Sequence, residues 1–541
     1  MNKKEKFLGV VLALSTFCFA EWSGESSKPS SSRQIDGKTF WSITSPEELA
    51  WFKAQVESGE VSMNAILEND IFMGEDSTSV GSLTWTAIGA SDNIVFKGVF
   101  DGNHHAIYGL KSVGSVSNHG MFGLFGIVGG GQGVIKNLDL KNIDMNSGSS
   151  NEMYPCGGGL VAYLQNGTVD SSSVSGRMNA SYTSFTGGLV GQNVQGTVSN
   201  STNKVVITHT GKYTGYYVGG IVGKNGGTVS NCVNYAAMSG SGVKSIGVAG
   251  TIGGIVGYNA GGKVLECVNV GNIHLDMKTE MSTRSAEARA GGIVGFNYQG
   301  SVSQCANYGS MNAQANSELS KDYDTGESIL NYPQAGGIVG VSLDGRVENV
   351  ANYGSVEATC TNAENKAAAG GIVGLLNHSD VTNGYSKAFV KSSNMIGSLV
   401  GSAQDSSSFT EADFEVLLNQ NESSDKIWSK CAENDLPAIA SLAEYMCSED
   451  LLSYAVPFDS TDEGTTFALS RYNKPVPHLV QVIDRDIQVM TPSPNEVVSI
   501  FDSRGKKLYQ SSCGTNHQYR VARAGQYILK MNQDVRMITV K

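Results

Sequence analysis

A pair of glycines inside a short apolar string limits this chain more than any other feature, because it keeps coming back. "GGLVA" begins at Gly158, "GGLVG" at Gly187, "GGIVG" at Gly219, Gly253, Gly291, Gly336 and Gly370, and a weaker "GSLVG" at Gly397. Successive starts lie 29, 32, 34, 38, 45, 34 and 27 residues apart. A phosphate-cradling loop uses its glycines once, between a strand and a helix. Here each copy instead continues through a turn to a valine: Val169, Val198, Val229, Val264, Val302, Val347 and Val381. A fixed motif at unequal spacing describes a coil of constant geometry with variable loops inserted at one corner.

The segments between turns run four to seven residues and alternate apolar with small or polar side chains, so they read as short strands. Such a unit cannot bury its apolar side alone, but it can stack on a copy of itself. The expected fold is all-β: a parallel β-solenoid (β-helix) rising about 4.8 Å per coil. Glycines would then serve corners of positive φ and places where coils approach too closely for a Cβ. Composition agrees, with 66 Gly against 10 Pro, 40% hydrophobic and only 16% charged residues. At 541 residues the chain exceeds one compact core, so an elongated body or several domains is required.

Two further columns follow from the register. Asn203, Asn234, Asn269, Asn307 and Asn352 recur at one position, as an asparagine ladder demands. Two residues earlier stand Cys232, Cys267 and Cys305, flanked by Ser201 and Val350, which describes a small buried slot. No CxxC pair fixes two ligands there, so neither a metal nor any other cofactor is expected. If the asparagines point inward, the next residues point outward: Lys204, Tyr235, Val270, Tyr308 and Tyr353. Tyr235, Tyr308 and Tyr353, with Tyr258, Phe296 and Tyr298 near another turn, are the candidate ligand-facing aromatics, set against the alternative that they merely pack on each other.

The start of the chain reads as an export signal (1–20): Lys3, Lys4 and Lys6, an apolar run from Phe7 to Phe19, and cleavage after Ala20. Phe17, just before Cys18, is too large for a lipoprotein signal, so a secreted chain is expected. Removing three Lys and one Glu takes the net charge from −12 to −14, which disfavours nucleic acid and anionic membranes as partners. Eight Cys remain of nine, too few over this length for a disulfide scaffold. Cys431 and Cys447 are the one pair expected to be able to bridge, with Cys232, Cys267 and Cys305 staying reduced.

A Ser-rich linker (21–37) leads to an N-terminal cap and irregular first coils (38–150). Ser45 as N-cap, Pro46, and Leu49, Phe52 and Val56 on one face predict a short helix closing the open end of the stack. The repeat solenoid spans 151–404, and a closing coil and cap 405–452. In 453–541 glycine thins, prolines appear, and the run from Glu496 reads as a small β-sandwich with a hairpin at Arg504-Gly505.

The order "PEELAWF", "LENDI", "WTAIG", "FKGVFDGNHHAIYGL", "GLFG" and then "GGLVG" with its continuing valine resembles bacterial surface proteins with GLUG repeats, over roughly residues 38 to 440. "IWSKCAENDLPAIASL", from Ile427, is similar to their closing coil. The C-terminal run is similar to the sorting domain of type IX secretion, matched at Asp502, Gly505, Lys506, Gly525, Tyr527 and Lys541 but lacking the Leu that usually precedes the glycine in "RVARAGQY". The resemblance implies a secreted, surface-associated β-solenoid acting in adhesion or glycan and polymer binding, with the export machinery as a partner and no activity belonging to the repeat.

The rival is a carbohydrate-active enzyme, a polysaccharide lyase or hydrolase on the same scaffold; a third reading is a purely structural envelope component. Catalysis of that kind needs convergent carboxylates, whereas Asp170, Glu266, Asp344, Glu348 and Asp380 fall at different coil positions. There is no HExxH and no Gly-x-Ser-x-Gly. Adjacent His104 and His105 read as turn residues beside Asp101-Gly102-Asn103, so no catalytic residue is assigned.

Overall fold

The computed structural model describes residues 20–411, apart from 91–93, 116–118, 149–154, 212–214, 245–247, 280–284, 318–330, 361–365 and 405–406. Beyond these it describes strands at 428–430 and 437–439 and between 479 and 540. The chain divides into two compact units, Met1–Val456 and Pro457–Lys541.

One coil of the first unit shows how the rest are made. Its strands are Gly215–Gly219, Val222–Asn225, Thr228–Ser230, Val233–Asn234 and Met238–Lys244. Each pairs in parallel with its equivalent one coil on: Val218 with Ile252, Val222 with Val256, Val229 with Val264, Asn234 with Asn269, and Met238 with Ile273. Repetition builds three long parallel sheets, a β-solenoid. The expected valine column is present: Val169, Val198, Val229, Val264, Val302, Val347 and Val381 pair in unbroken succession. Val229, Val264, Val302 and Val347 are wholly buried.

The strands ending at the first glycine of each pair form one sheet, here the glycine sheet, and those opening with the Val of "IVG" form the valine sheet. The remainder of each coil joins the broad sheet. At Gly219 a Cβ would fall against the Val222 carbonyl, at Gly220 against the Gly254 carbonyl and the Asn234 side chain, and at Gly223 against the backbone of Thr186. Close approach, then, explains the opening motif. The other role expected for glycine, positive φ at corners, does not apply to the pairs. Those corners are taken by Asn200, Asn231, Glu266, Gln304, Asn349 and Asn383, with φ of 49°, 51°, 53°, 54°, 55° and 56°. Asn tolerates this region best because its short amide can bond locally; Glu266 and Gln304 adopt it because the coils on either side dictate the path.

Both asparagine and cysteine columns lie inside. Asn203, Asn234, Asn269, Asn307 and Asn352 pass amide hydrogen bonds from coil to coil, each 2.8 Å. A second ladder was not anticipated: Asn193, Asn225, Asn259 and Asn297 are joined at 2.8, 3.0 and 2.9 Å and continue into Ser342 at 3.2 Å. Cys232, Cys267 and Cys305 are buried and free, as expected of that slot. Cys431 and Cys447 lie outside the described residues.

The helix α1, Pro46–Glu57, forms as predicted, with the Ser45 side chain accepting from the Glu48 N–H and Leu49, Phe52 and Val56 fully buried. The Glu48 carboxylate reaches back to the Thr44 N–H at 2.6 Å, closing the helix start from both sides. Asn103 and His104 form a turn of positive φ (49° and 64°). In the second unit Leu479–Ile483, Asp486–Met490 and Asn516–Arg520 form one antiparallel sheet. Lys507–Ser511, Val498–Asp502, Gly525–Met531 and Asp534–Val540 form another. Val498–Asp502 and Lys507–Ser511 pair antiparallel, while the turn expected between them at Arg504-Gly505 lies outside the described residues.

Candidate ligand-binding surface

The candidate aromatics separate onto two surfaces. Tyr258 and Phe296 sit in the valine sheet, at the residue after the third glycine, where Lys224, Tyr258 and Phe296 are successive register partners. Beside them, two residues before the glycine pair, the glycine sheet brings Phe185 and Tyr217 into register. The two sheets meet at the corner that Gly223 and its equivalents keep clear, so the side chains of both columns interleave outside it.

The result is a continuous row: Phe185 on Tyr217 at 5.8 Å between ring centroids, Tyr217 on Tyr258 at 5.0 Å, and Tyr258 on Phe296 at 5.3 Å. Tyr298 lies at its edge, 6.4 Å from Phe296. Tyr258 and Phe296 are within 10° of parallel. Parallel rings this close cannot lie side by side without clashing, so they stack face to face with an offset. The inner faces are therefore occupied, and the row offers ring edges and tyrosine hydroxyls rather than a flat platform.

Two cations are set into this row. The Lys224 ammonium lies 5.0 Å from the Phe185 ring centre and 5.7 Å from that of Tyr258, and the Arg289 guanidinium 5.3 Å from that of Phe296. Arg289 also pairs with Glu287. Burial pushes the Tyr217 and Tyr258 hydroxyls above their usual pKa, for Tyr217 against the pull of Arg289. Both therefore stay protonated, able to donate as well as accept.

Tyr235, Tyr308 and Tyr353 each follow directly on a broad-sheet strand that ends at a ladder asparagine. Tyr308 stacks on Tyr353 at 4.9 Å and is only 3% exposed; its hydroxyl is buried without a hydrogen-bond partner, and burial raises its pKa. Tyr353 meets Tyr385 edge-on at 6.0 Å. Lys204 lies over Tyr235 at 5.5 Å. Tyr308 and Tyr353 thus pack on each other.

Sequence reasoning missed Phe185, Tyr217, Lys224 and Arg289. For Phe185, Tyr217 and Arg289 the signal was the residue two before the glycine pair, aromatic in "FTGG" and "YVGG" and basic in "RAGG"; for Lys224 it was the residue after the third glycine, in "GGIVGK". It also missed His209, which is buried with Nε2 3.0 Å from the Thr183 carbonyl and its ring 3.7 Å from that of Tyr216. Asp170, one of the scattered acids, holds a turn together by accepting from Ser171, Ser199 and Asn200 at 2.9, 2.6 and 2.8 Å. No protein-family model matches this chain, and no curated protein matches it.

Proposed function

We propose that this chain is a secreted, surface-associated β-solenoid of the GLUG-repeat kind that acts as an adhesin or binding scaffold for a glycan or related extracellular polymer. In this reading its last 89 residues (453–541) are a β-sandwich sorting domain that the type IX machinery recognises. The observation that carries the binding role is the half-buried row Tyr217–Tyr258–Phe296, which crosses three coils from the buried ring of Phe185 and has the half-buried cations Lys224 and Arg289 set into it. Two strand spacings make its accessible part about 10 Å long, room for more than one ring of an extended polymer. Its rigidity lowers the ordering cost of contact, because stacked rings on paired strands have little rotamer freedom left to lose.

The test is retention of the purified protein on immobilised polysaccharides, run beside a reducing-sugar release assay. Retention without release, lost in a Tyr217→Ala/Tyr258→Ala double variant, supports the binding reading. Release of sugar supports the enzyme reading instead, and failure to be retained by any polysaccharide defeats both.

A further inference from the structure

The cations of the aromatic row point to the charge of its ligand. The whole chain is acidic, at −12, yet the row presents Lys224 and Arg289 and, of carboxylates, Glu287 paired with Arg289. Among the described residues Lys224 has no carboxylate within ion-pair distance; its ammonium rests on the rings of Phe185 and Tyr258. An ammonium held over ring faces is fixed in place while keeping its net charge, so it remains free to pair with an anion. Lys224 and Tyr217 lie in the same coil, and the glycine sheet runs from Tyr217 through Thr251 to Arg289, so the two cations belong to coils two steps apart, a rise of about 10 Å along the axis.

We infer that the row binds a linear acidic polysaccharide, carboxylated or sulfated, laid along the solenoid axis. Lys224 and Arg289 pair with anionic groups on alternate residues, and the Tyr217 and Tyr258 hydroxyls bond sugar hydroxyls between them. Nucleic acid carries the right charge but binds such surfaces by stacking bases on open aromatic faces. Here the inner faces are covered by neighbouring rings, and the chain's overall charge repels a phosphate backbone. Edge recognition by hydroxyls and ammonium groups suits a sugar polymer.

This inference rests on the polymer-binding reading, and its test separates the two. Affinity electrophoresis of the full-length protein through gels containing dextran, dextran sulfate, polygalacturonate or single-stranded DNA uses one neutral backbone, its charged twin, a uronate and a competing polyanion. Retardation by dextran sulfate or polygalacturonate but not by dextran is expected, weakening with salt. A Lys224→Glu/Arg289→Glu variant should lose at least about tenfold in affinity, while Lys224→Arg retains it. An unchanged melting temperature shows the variant to be folded; should it fail to fold, Lys224→Gln alone should give a smaller loss of the same kind. Equal retardation by dextran, indifference to the charge reversal, or tighter retention by DNA overturns the acidic-polysaccharide assignment. Binding to dextran alone leaves the polymer-binding reading standing, and binding to none of the sugars removes both.

Discussion

The first coils and the regular repeats fill the same kind of interior in opposite ways. Near α1 the core is aromatic: Phe52 and Phe100 lie 5.6 Å apart, Phe96 and Phe125 5.0 Å, and Phe100 and Phe125 5.4 Å, with Trp85 fully buried beside them. Along the repeats the same space holds valines, small Cys or Ser residues and two asparagine ladders. Large rings interlock in one arrangement and so define a unique end. Small identical side chains would allow a coil to slip on its neighbour, and the ladders prevent this, because a shifted amide loses its bonds. One region is specified by shape, the other by hydrogen-bond register.

The sharpest way to break the contrast is to remove a ring. Phe100→Ala should cost about 3–5 kcal/mol, as deletions of buried Phe do, measured by urea unfolding. In a solenoid each coil contacts chiefly its neighbours, so the damage should stay local. Hydrogen exchange should speed up in Asn64–Leu67 and Val134–Lys136, whose strands flank Val99–Asp101, and not in Val256–Ala260. Uniform loss of protection would mean that the two regions form one cooperative block.

The counterpart in the repeats is Asn269→Leu. Asn269 donates to Asn307 at 2.8 Å and to the Gly271 carbonyl at 2.9 Å, and accepts from Asn234 at 2.8 Å. Its loss strips one partner from each neighbour in a dry interior, where an orphaned polar group costs about 1–3 kcal/mol, so a total of about 2–4 kcal/mol is expected. Asn352→Leu should cost less, since among the described residues that amide takes one ladder bond, from Asn307. Equal costs in urea unfolding would show that the amides matter as packing volume alone.

His209 adds a pH dependence to the repeat side. Burial lowers its pKa from 6.5 to about 4, so the folded state holds the ring neutral and the unfolded chain takes the proton first. The stabilisation is complete above pH 6.5 and is lost as pH falls toward 4, by about 2 kcal/mol at pH 5. The urea midpoint of a His209→Gln variant should therefore fall less between pH 7 and 5 than that of the parent. Parallel decline in both proteins would assign the acid sensitivity elsewhere.

What could be read from the sequence was whatever recurs along one strand position. The valine column, the first ladder, the cysteine slot and α1 each depend on spacing inside a single motif. The aromatic row escaped because it is assembled from two columns, Phe185 and Tyr217 on one sheet, Tyr258 and Phe296 on the next, joined only where the sheets meet. The second ladder was legible as Gly-x-Asn at Asn193, Asn225, Asn259 and Asn297, but it passes to Ser342 and then Ser379, which hides its continuity. The Tyr308–Tyr353 pair was legible only as two alternatives, since strand alternation gives direction but not what covers a side chain, and the structure has the two rings stacked on each other.

The smallest effect sharpens the contrast most. Cys267 occupies the same dry interior as Asn269, two residues away, yet its thiol's shorter bond is within its own coil, to the Leu265 carbonyl at 3.2 Å, with only a longer contact to the Val229 carbonyl of the preceding coil at 3.8 Å. Two coils earlier the slot holds Ser201, whose hydroxyl makes the equivalent bond to the Ser199 carbonyl at 2.6 Å, and before it Ser172 bonds Asp170 at 2.8 Å. A serine placed at 267 inherits a ready acceptor and leaves no neighbour short of one. Cys267→Ser should therefore cost less than about 1 kcal/mol, the slight loss coming from the smaller atom rather than from an unmet hydrogen bond. Measured beside Asn269→Leu by urea unfolding, it separates a side chain whose main bond closes inside its coil from one whose bonds tie coils together. A cost for Cys267→Ser matching that of Asn269→Leu would mean that any change in this interior is penalised alike and that the ladder has no special part in holding register.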